Sequence, residues 1–193
     1  MGHTEIVQKV RDILNEHVPD GAVSLDGITE DCVRLEDYIE SAIPDAVVML
    51  AQKGYRVNVC TDTPQINGAN AIILPDDFIS LLSVKLDNWN KIITKITEVG
   101  TPEYIMAMNE FTTPKANTPM CYKKGTLLIC LPDSDVLDLF EYNKNYDKEE
   151  DSLSADLKEA TAVCYMTAAL VLGMFGDDQG KQRLSDVATN MLQ

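Results

Sequence analysis

Apolar positions change their period twice along the chain, and the changes divide it into three stretches. Over residues 4–18, Ile6, Val7, Val10, Ile13, Leu14 and Val18 recur at helical spacing, and Pro19-Asp20-Gly21 stops the pattern. A second stripe of Cys32, Leu35, Ile39, Ala42, Ala46 and Leu50 predicts a helix over 29–52, with Gly54 as its stop. Pro44 lies inside that stripe. Proline removes an amide donor and clashes with the preceding turn, so a kink or a restart is expected over 41–45.

From 55 to 146 the period shortens to two, most of the prolines gather, and turn pairs such as Asn67-Gly68 and Lys124-Gly125 appear. Strands are predicted at 56–60, 71–74, 81–87, 120–122, 126–131 and 136–142, with a short helix at 102–109. Before the third strand, Pro75 fixes φ, and Asp76 and Asp77 cap a first helical turn that Phe78 and Ile79 bury. Leu82, Val84 and Leu86 then turn one face to a core, opposite Ser83, Lys85 and Asp87. Residues 111–119, with Pro114 and Pro119, read as a loop reaching outward. A charged linker over 143–151 leads to Ser152 or Ser154 as the cap of a helix that ends at Gly173 and Gly176. A last helix starts at Asp177-Asp178 and carries Leu184, Val187, Ala188, Met191 and Leu192 as its stripe. The expected fold is α+β but mainly helical: N-terminal helices and a C-terminal helical hairpin around a small antiparallel β element. One domain is expected over 1–193, made of parts 1–54, 55–146 and 152–193.

Composition narrows the function classes. A chain of 193 residues, 45% hydrophobic, can bury its own core. Its net charge of −15 argues against a grip on phosphate backbones, which needs lysine and arginine to displace counterions. The N-terminus is a charged amphipathic segment without the apolar core of a secretory leader. The uncharged run 160–175 falls short of the roughly 20 residues a membrane span needs. It reads instead as a helix that is apolar nearly all round, with neighbours on several sides and no membrane partner. The five cysteines are odd in number and show no CxxC spacing, as expected of reduced, buried thiols. A two-residue turn at Lys124-Gly125 sets Cys121 opposite Leu128, so pairing Cys121 with Cys130 needs a different register.

Groups that carry chemistry are sparse. His3 lies at a terminus expected to fray, and His17 in the last turn of the first helix, where a cation suits the dipole. Neither has a serine or cysteine placed beside it by any nucleophile signature. Asp133, Asp135 and Asp138 suit a hard cation in kind, but the regular ligand series, central glycine and distal glutamate of a calcium loop are missing, and Leu137, Leu139 and Phe140 continue as a strand. Gly173, Gly176 and Gly180 lack the preceding strand and the Gly-Lys-Ser/Thr ending of a phosphate loop. No catalytic residue, metal or cofactor is therefore expected, and the chain reads as a non-enzyme. Candidate partner contacts are Trp89, Tyr104, Phe111, Pro114, Pro119, Met174 and Phe175, drawn from aromatics of the kind that anchor interfaces and from projecting loop and helix-end residues. Glu5, Asp12, Glu16, Glu30, Asp31, Glu36, Asp37 and Glu40 give the first two helices an acidic, solvated face.

The run Leu74-Pro75-Asp76-Asp77-Phe78, continued by Leu81, Ser83-Val84, Leu86 and Trp89, resembles one in head-to-tail connector proteins of tailed bacteriophages, most of all the neck ring proteins of short-tailed, crAss-like phages. Residues 101–112 resemble the segment that follows in those proteins, and 160–176 their alanine-rich C-terminal helix with its glycine stop; together the resemblance spans about 70–192. It implies a structural virion protein at the neck, assembled in the host cytoplasm. Such an adaptor docks on a portal ring and meets other neck and tail rings. It extends the DNA channel as a homo-oligomeric ring of about twelve copies, a closed symmetric arrangement. DNA passes through it without specific binding and is released at ejection. Two other readings of the residues stay open: an acidic cytosolic binding or regulatory module that recognises a basic partner, and a hydrolase or metal-dependent enzyme using the Asp133, Asp135 and Asp138 group.

Overall fold

A computed structural model of the chain describes residues 1–17, 29–68, 70–150 and 152–193, with side chains described for all of these except 16, 17, 29–34 and 150. The expectations for Val18, the stop at 19–21, and the side chains of Glu16, His17, Glu30, Asp31 and Cys32 lie outside the described residues. The chain divides into two compact units, one formed by Met1–Asn58 with Asn145–Gln193 and the other by Val59–Lys144.

The first unit is helical. Helix α1 (His3–His17) buries Ile6, Val10, Ile13 and Leu14, and α2 (Thr29–Gln52) buries Ile39, Ala42, Ile43, Ala46, Val47, Leu50 and Ala51, all at spacings of three and four. Helix α2 runs through Pro44 without a restart. An interior proline costs about 3 kcal/mol, but the apolar stripe is fully buried on both sides of it, so packing outweighs the local penalty. Helix α4 (Leu157–Met174) is the centre of this unit, and α1, α2 and α5 (Asp178–Leu192) all pack on it. Ala160, Ala162, Ala168 and Ala169 are fully buried there, and their small side chains let neighbouring helices approach on several sides. By length and composition alone α4 could cross a membrane, but half of it is buried against these helices, the environment of a core helix.

Helix ends depart from expectation at one point. Asp156, not Ser152 or Ser154, precedes α4. Ser152 instead bridges to Gly2, and the Ser154 amide donates to Asn58 Oδ1 at 3.1 Å. The terminus is tied down, with the Leu153 amide bonded to the Met1 carbonyl at 3.0 Å. His3 therefore does not fray. Its ring meets the Tyr146 hydroxyl at 2.7 Å and Glu40 at 3.2 Å.

The second unit holds all seven strands found among the described residues, in two antiparallel sheets. One has the order β1-β7-β4, from Val59–Cys60, Leu137–Lys144 and Phe78–Leu86. The other has the order β2-β3-β6-β5, from Ile66–Asn67, Ala71–Ile73, Leu127–Leu131 and Met120–Lys124. A single core joins them: Cys60, Leu81, Val84, Leu86, Phe140 and Tyr142 from the first sheet meet Ile72, Cys121, Leu128 and Cys130 from the second, with Leu74 and Trp89 from the connections. With 42% of the chain helical and 22% in strands, the fold is mixed α+β and not mainly helical. The strand missed was β2, because a two-residue piece carries too few positions to show a period.

Two local corrections have physical causes. Phe78 and Ile79 open strand β4, not a helical turn, because pairing with β7 from Lys144 onwards outweighs the cap that Asp76 and Asp77 offer. A register shift between Leu81 and Ser83 then changes the facing, so that Leu81 and Val84 both reach the shared core while Leu82 does not belong to it. In the β5–β6 hairpin, Lys124 pairs with Leu127, which places Gly125 and Thr126 in the turn. Gly125 has φ +61°, and hairpin turns need positive φ at this first central position. The turn thus sits one residue later than expected, and Cys121 lies opposite Cys130, not Leu128.

Candidate functional site

In the β unit four exposed large apolar groups, including the most exposed one, fall in one segment. Thr101 precedes the short helix α3 (Pro102–Ala107) and its hydroxyl accepts from the Tyr104 amide, while Pro102 starts the helix where its missing amide costs nothing. A helix this short has one inward face. Ala107 is buried, and Tyr104 is half-buried with its ring edge-on to Tyr122, 5.1 Å between centroids. Burial, with Tyr104 beside it, raises the Tyr122 pKa. The remaining large side chains have nowhere to go but outward: Ile105 is 62% exposed, Met106 57%, Met108 43% and Phe111 92%. The turn beneath them is well held. The Thr112 hydroxyl donates to the Met106 carbonyl, and the Phe111 amide donates to Asn109 Oδ1 at 2.9 Å. Phe111 is thus presented by a hydrogen-bonded turn.

The other candidates behave differently. Trp89 is a core residue, 2% exposed, whose indole donates to the Pro132 carbonyl at 2.8 Å. An aromatic this large gains more from filling the space between two sheets than from facing solvent, so it is not a surface anchor. Pro119 is buried too, and Pro114 half-buried. The end of their loop is fastened, with the Asn90 amide donating to the Ala116 carbonyl at 2.9 Å and the Thr118 amide to the Lys115 carbonyl at 2.8 Å. Of the candidate contacts in 111–119, Phe111 is exposed.

In the helical unit, Met174 and Phe175 end α4 just before Gly176, whose φ of +82° turns the chain, and Asp177 caps α5 by accepting from the Gly180 amide. Met174 is 50% exposed and Phe175 62%. Phe175 meets Tyr38 of α2 edge-on, 5.2 Å between centroids. Tyr38 belongs with this group, and nothing in the sequence signalled it, because its partner lies far along the chain. Tyr104, Phe111 and Pro114 fall in one unit, and Met174 and Phe175 in the other.

The acidic face is less free than its sequence suggests. Glu36 pairs with Arg11, and Glu40 with Lys148 at 2.7 Å and with His3. The hydrogen bonds from Lys148 and His3 hold the Glu40 carboxyl below its ordinary pKa. Glu5, Asp12 and Asp37 remain exposed. Among the described residues no three His, Cys, Asp or Glu side chains gather into a metal-holding group. Asp138 pairs with Lys85, and the Asp133 carbonyl accepts from Asn88 at 2.7 Å. Cys60, Cys121, Cys130 and Cys164 are free and buried, and burial pushes the Cys164 thiol up to about 12.

Comparison with known protein families and with curated proteins finds no match to this chain.

Proposed function

We propose that this protein is a structural subunit of a virion, a head-to-tail adaptor that docks on a portal ring and extends the DNA channel towards the tail. The observation that carries the reading is the exposed apolar segment 105–111, with Phe111 92% exposed on a hydrogen-bonded turn. Exposed apolar side chains grouped in this way mark surfaces that another protein covers. The resemblance of residues 70–192 to phage neck proteins supplies the kind of partner. A net charge of −15 suits a channel that DNA passes through without adhering. In this reading the copies form a closed ring, with α3 and its turn on a neighbouring protein, and nothing is catalysed.

The test is negative-stain electron microscopy and sedimentation of the protein mixed with the portal protein encoded beside it. A saturating, symmetric extra tier on the portal is the expected result, lost in Phe111→Ser with the circular dichroism spectrum unchanged. No association across a range of salt overturns the adaptor and favours an acidic module that binds a basic partner.

A further inference from the structure

The β5–β6 hairpin brings two cysteines into register. Cys121 and Cys130 are directly opposed, both fully buried, with their sulfurs 3.4 Å apart. The backbone around them shows which kind of pair this is. The Cys121 carbonyl accepts from the Thr97 amide and the Cys130 amide donates to the Asn70 carbonyl, so both cysteines direct backbone groups away from each other. That is the non-hydrogen-bonded pair of an antiparallel ladder, in which the Cα atoms lie about 4.5 Å apart. The spacing falls inside the range a disulfide spans, at roughly 4.4–6.8 Å. A disulfide bond is about 2.0 Å long, so the sulfurs need only side-chain rotation to meet.

We propose that Cys121 and Cys130 form an oxidisable dithiol that closes into a cross-strand disulfide when a low-molecular-weight disulfide is present, pinning the edge of the β unit. The inference does not depend on the adaptor reading. Access comes from the topology. Strand β5 is at the edge of its sheet, and its outer side is held by the bridge from Thr97 to Tyr122 with the Thr97–Cys121 hydrogen bond. Opening β5 takes the loss of that short contact and of its ladder to β6, while β3 and β6 stay paired, a local opening that costs less than unfolding. In the closed state the hydrogen bond with Cys130, and then burial, raise the Cys121 pKa, so Cys121 stays protonated and unreactive.

The chemistry runs in two exchange steps. Opening exposes Cys121, which gives its proton to water and attacks one sulfur of the small disulfide; a mixed disulfide forms and one small thiolate leaves. On reclosure Cys130 loses its proton, attacks the Cys121 sulfur and expels the second small thiolate. Two protein thiols are oxidised and one small disulfide is reduced to two thiols. The new bond closes the turn through Gly125 and removes the freedom of β5 to peel away.

The test uses the full-length wild-type chain and oxidised glutathione, both in buffer and in urea below the unfolding transition. Free thiols are then alkylated under full denaturation and the peptides mapped by mass. The expected result is loss of two alkylatable thiols, one peptide linking Cys121 to Cys130, recovery of both thiols with dithiothreitol, and slower amide exchange at Tyr122 in the oxidised form. Cys130→Ala leaves a glutathione adduct on Cys121 with no intrachain link. Five alkylated thiols under both conditions, or a link through Cys32, Cys60 or Cys164, overturns the proposal without reference to any variant. A Cys121–Cys130 link that leaves Tyr122 exchange unchanged overturns the pinning of the edge.

Discussion

The two units solve the same problem, burying enough apolar surface, with opposite materials. The helical unit surrounds α4 with other helices and fills its centre with small side chains, among them Ala160, Ala162, Ala168 and Ala169. Helices gain contact by letting their axes approach, so small residues at the crossing points serve the core. The β unit sets two sheets over one core and fills it with large side chains: Trp89, Phe140 and Tyr142 with Val84, Leu86 and Leu128. Large side chains let residues of both sheets meet in that one core. The connectivity differs as well. Two segments from the two ends of the sequence make the helical unit, whereas one uninterrupted stretch makes the other. That stretch begins and ends side by side, since Val59 pairs with Asn143. Asn58 lies where the two segments of the helical unit meet: it is buried and bonded to the Asn145 carbonyl and the Ser154 amide, both at 3.1 Å.

The largest expected effect comes from emptying the β core. Trp89→Ala should cost about 3–5 kcal/mol, the usual loss for a buried aromatic, read as a lowered urea midpoint of the strand signal in circular dichroism. If the helical signal shifts to the same lowered midpoint as the strand signal, the two units unfold as one and the contrast between them is structural only. A second transition left in place sharpens it.

Asn58→Ala attacks the place where the two segments of the helical unit meet. It removes two part-buried hydrogen bonds, at a cost of about 1–3 kcal/mol, expected in the helical transition. A loss confined to the strand signal would mean that Asn58 supports the β unit and not the helical one.

The smallest effect is electrostatic and belongs to the helical unit alone. Glu40 has a folded pKa below the ordinary value of 4.5, held down first by its hydrogen bond from Lys148 and then by that from His3. A carboxyl of this kind adds stability above its ordinary pKa, and the contribution is lost as pH falls through the lowered folded value. Glu40→Gln should therefore lower Tm at neutral pH and converge with wild type in acid. Because the pair is partly exposed, the difference should also shrink in high salt. A Tm difference that persists in acid would assign the effect to packing.

The helices were legible because each carries its own period. Ile6, Val10, Ile13 and Leu14 could be placed on one face from spacing alone, and the apolar circumference of α4 announced neighbours on several sides. The strands were legible only where alternation ran long enough. The bulge after Leu81 and the one-residue shift of the Gly125 turn were not, since a register is decided by the partner strand. Exposure was not legible from residue type: of the candidate contact residues, Phe111, Met174 and Phe175 are exposed, whereas Trp89 and Pro119 are buried. Residue type measures how much a side chain gains from any apolar cover. It says nothing of whether the cover comes from its own chain or another.

Sequence by itself determined the amphipathic faces of α1 and α2, the apolar character of α4 and the acidic charge, because each depends on neighbours within a few positions or on composition. Tertiary structure alone decided the two-sheet core, the passage of α2 through Pro44, the meeting of Tyr38 with Phe175 and the opposition of Cys121 and Cys130. All four depend on which distant segment arrives, and the free energy that selects it comes from packing across the fold and not from the local chain.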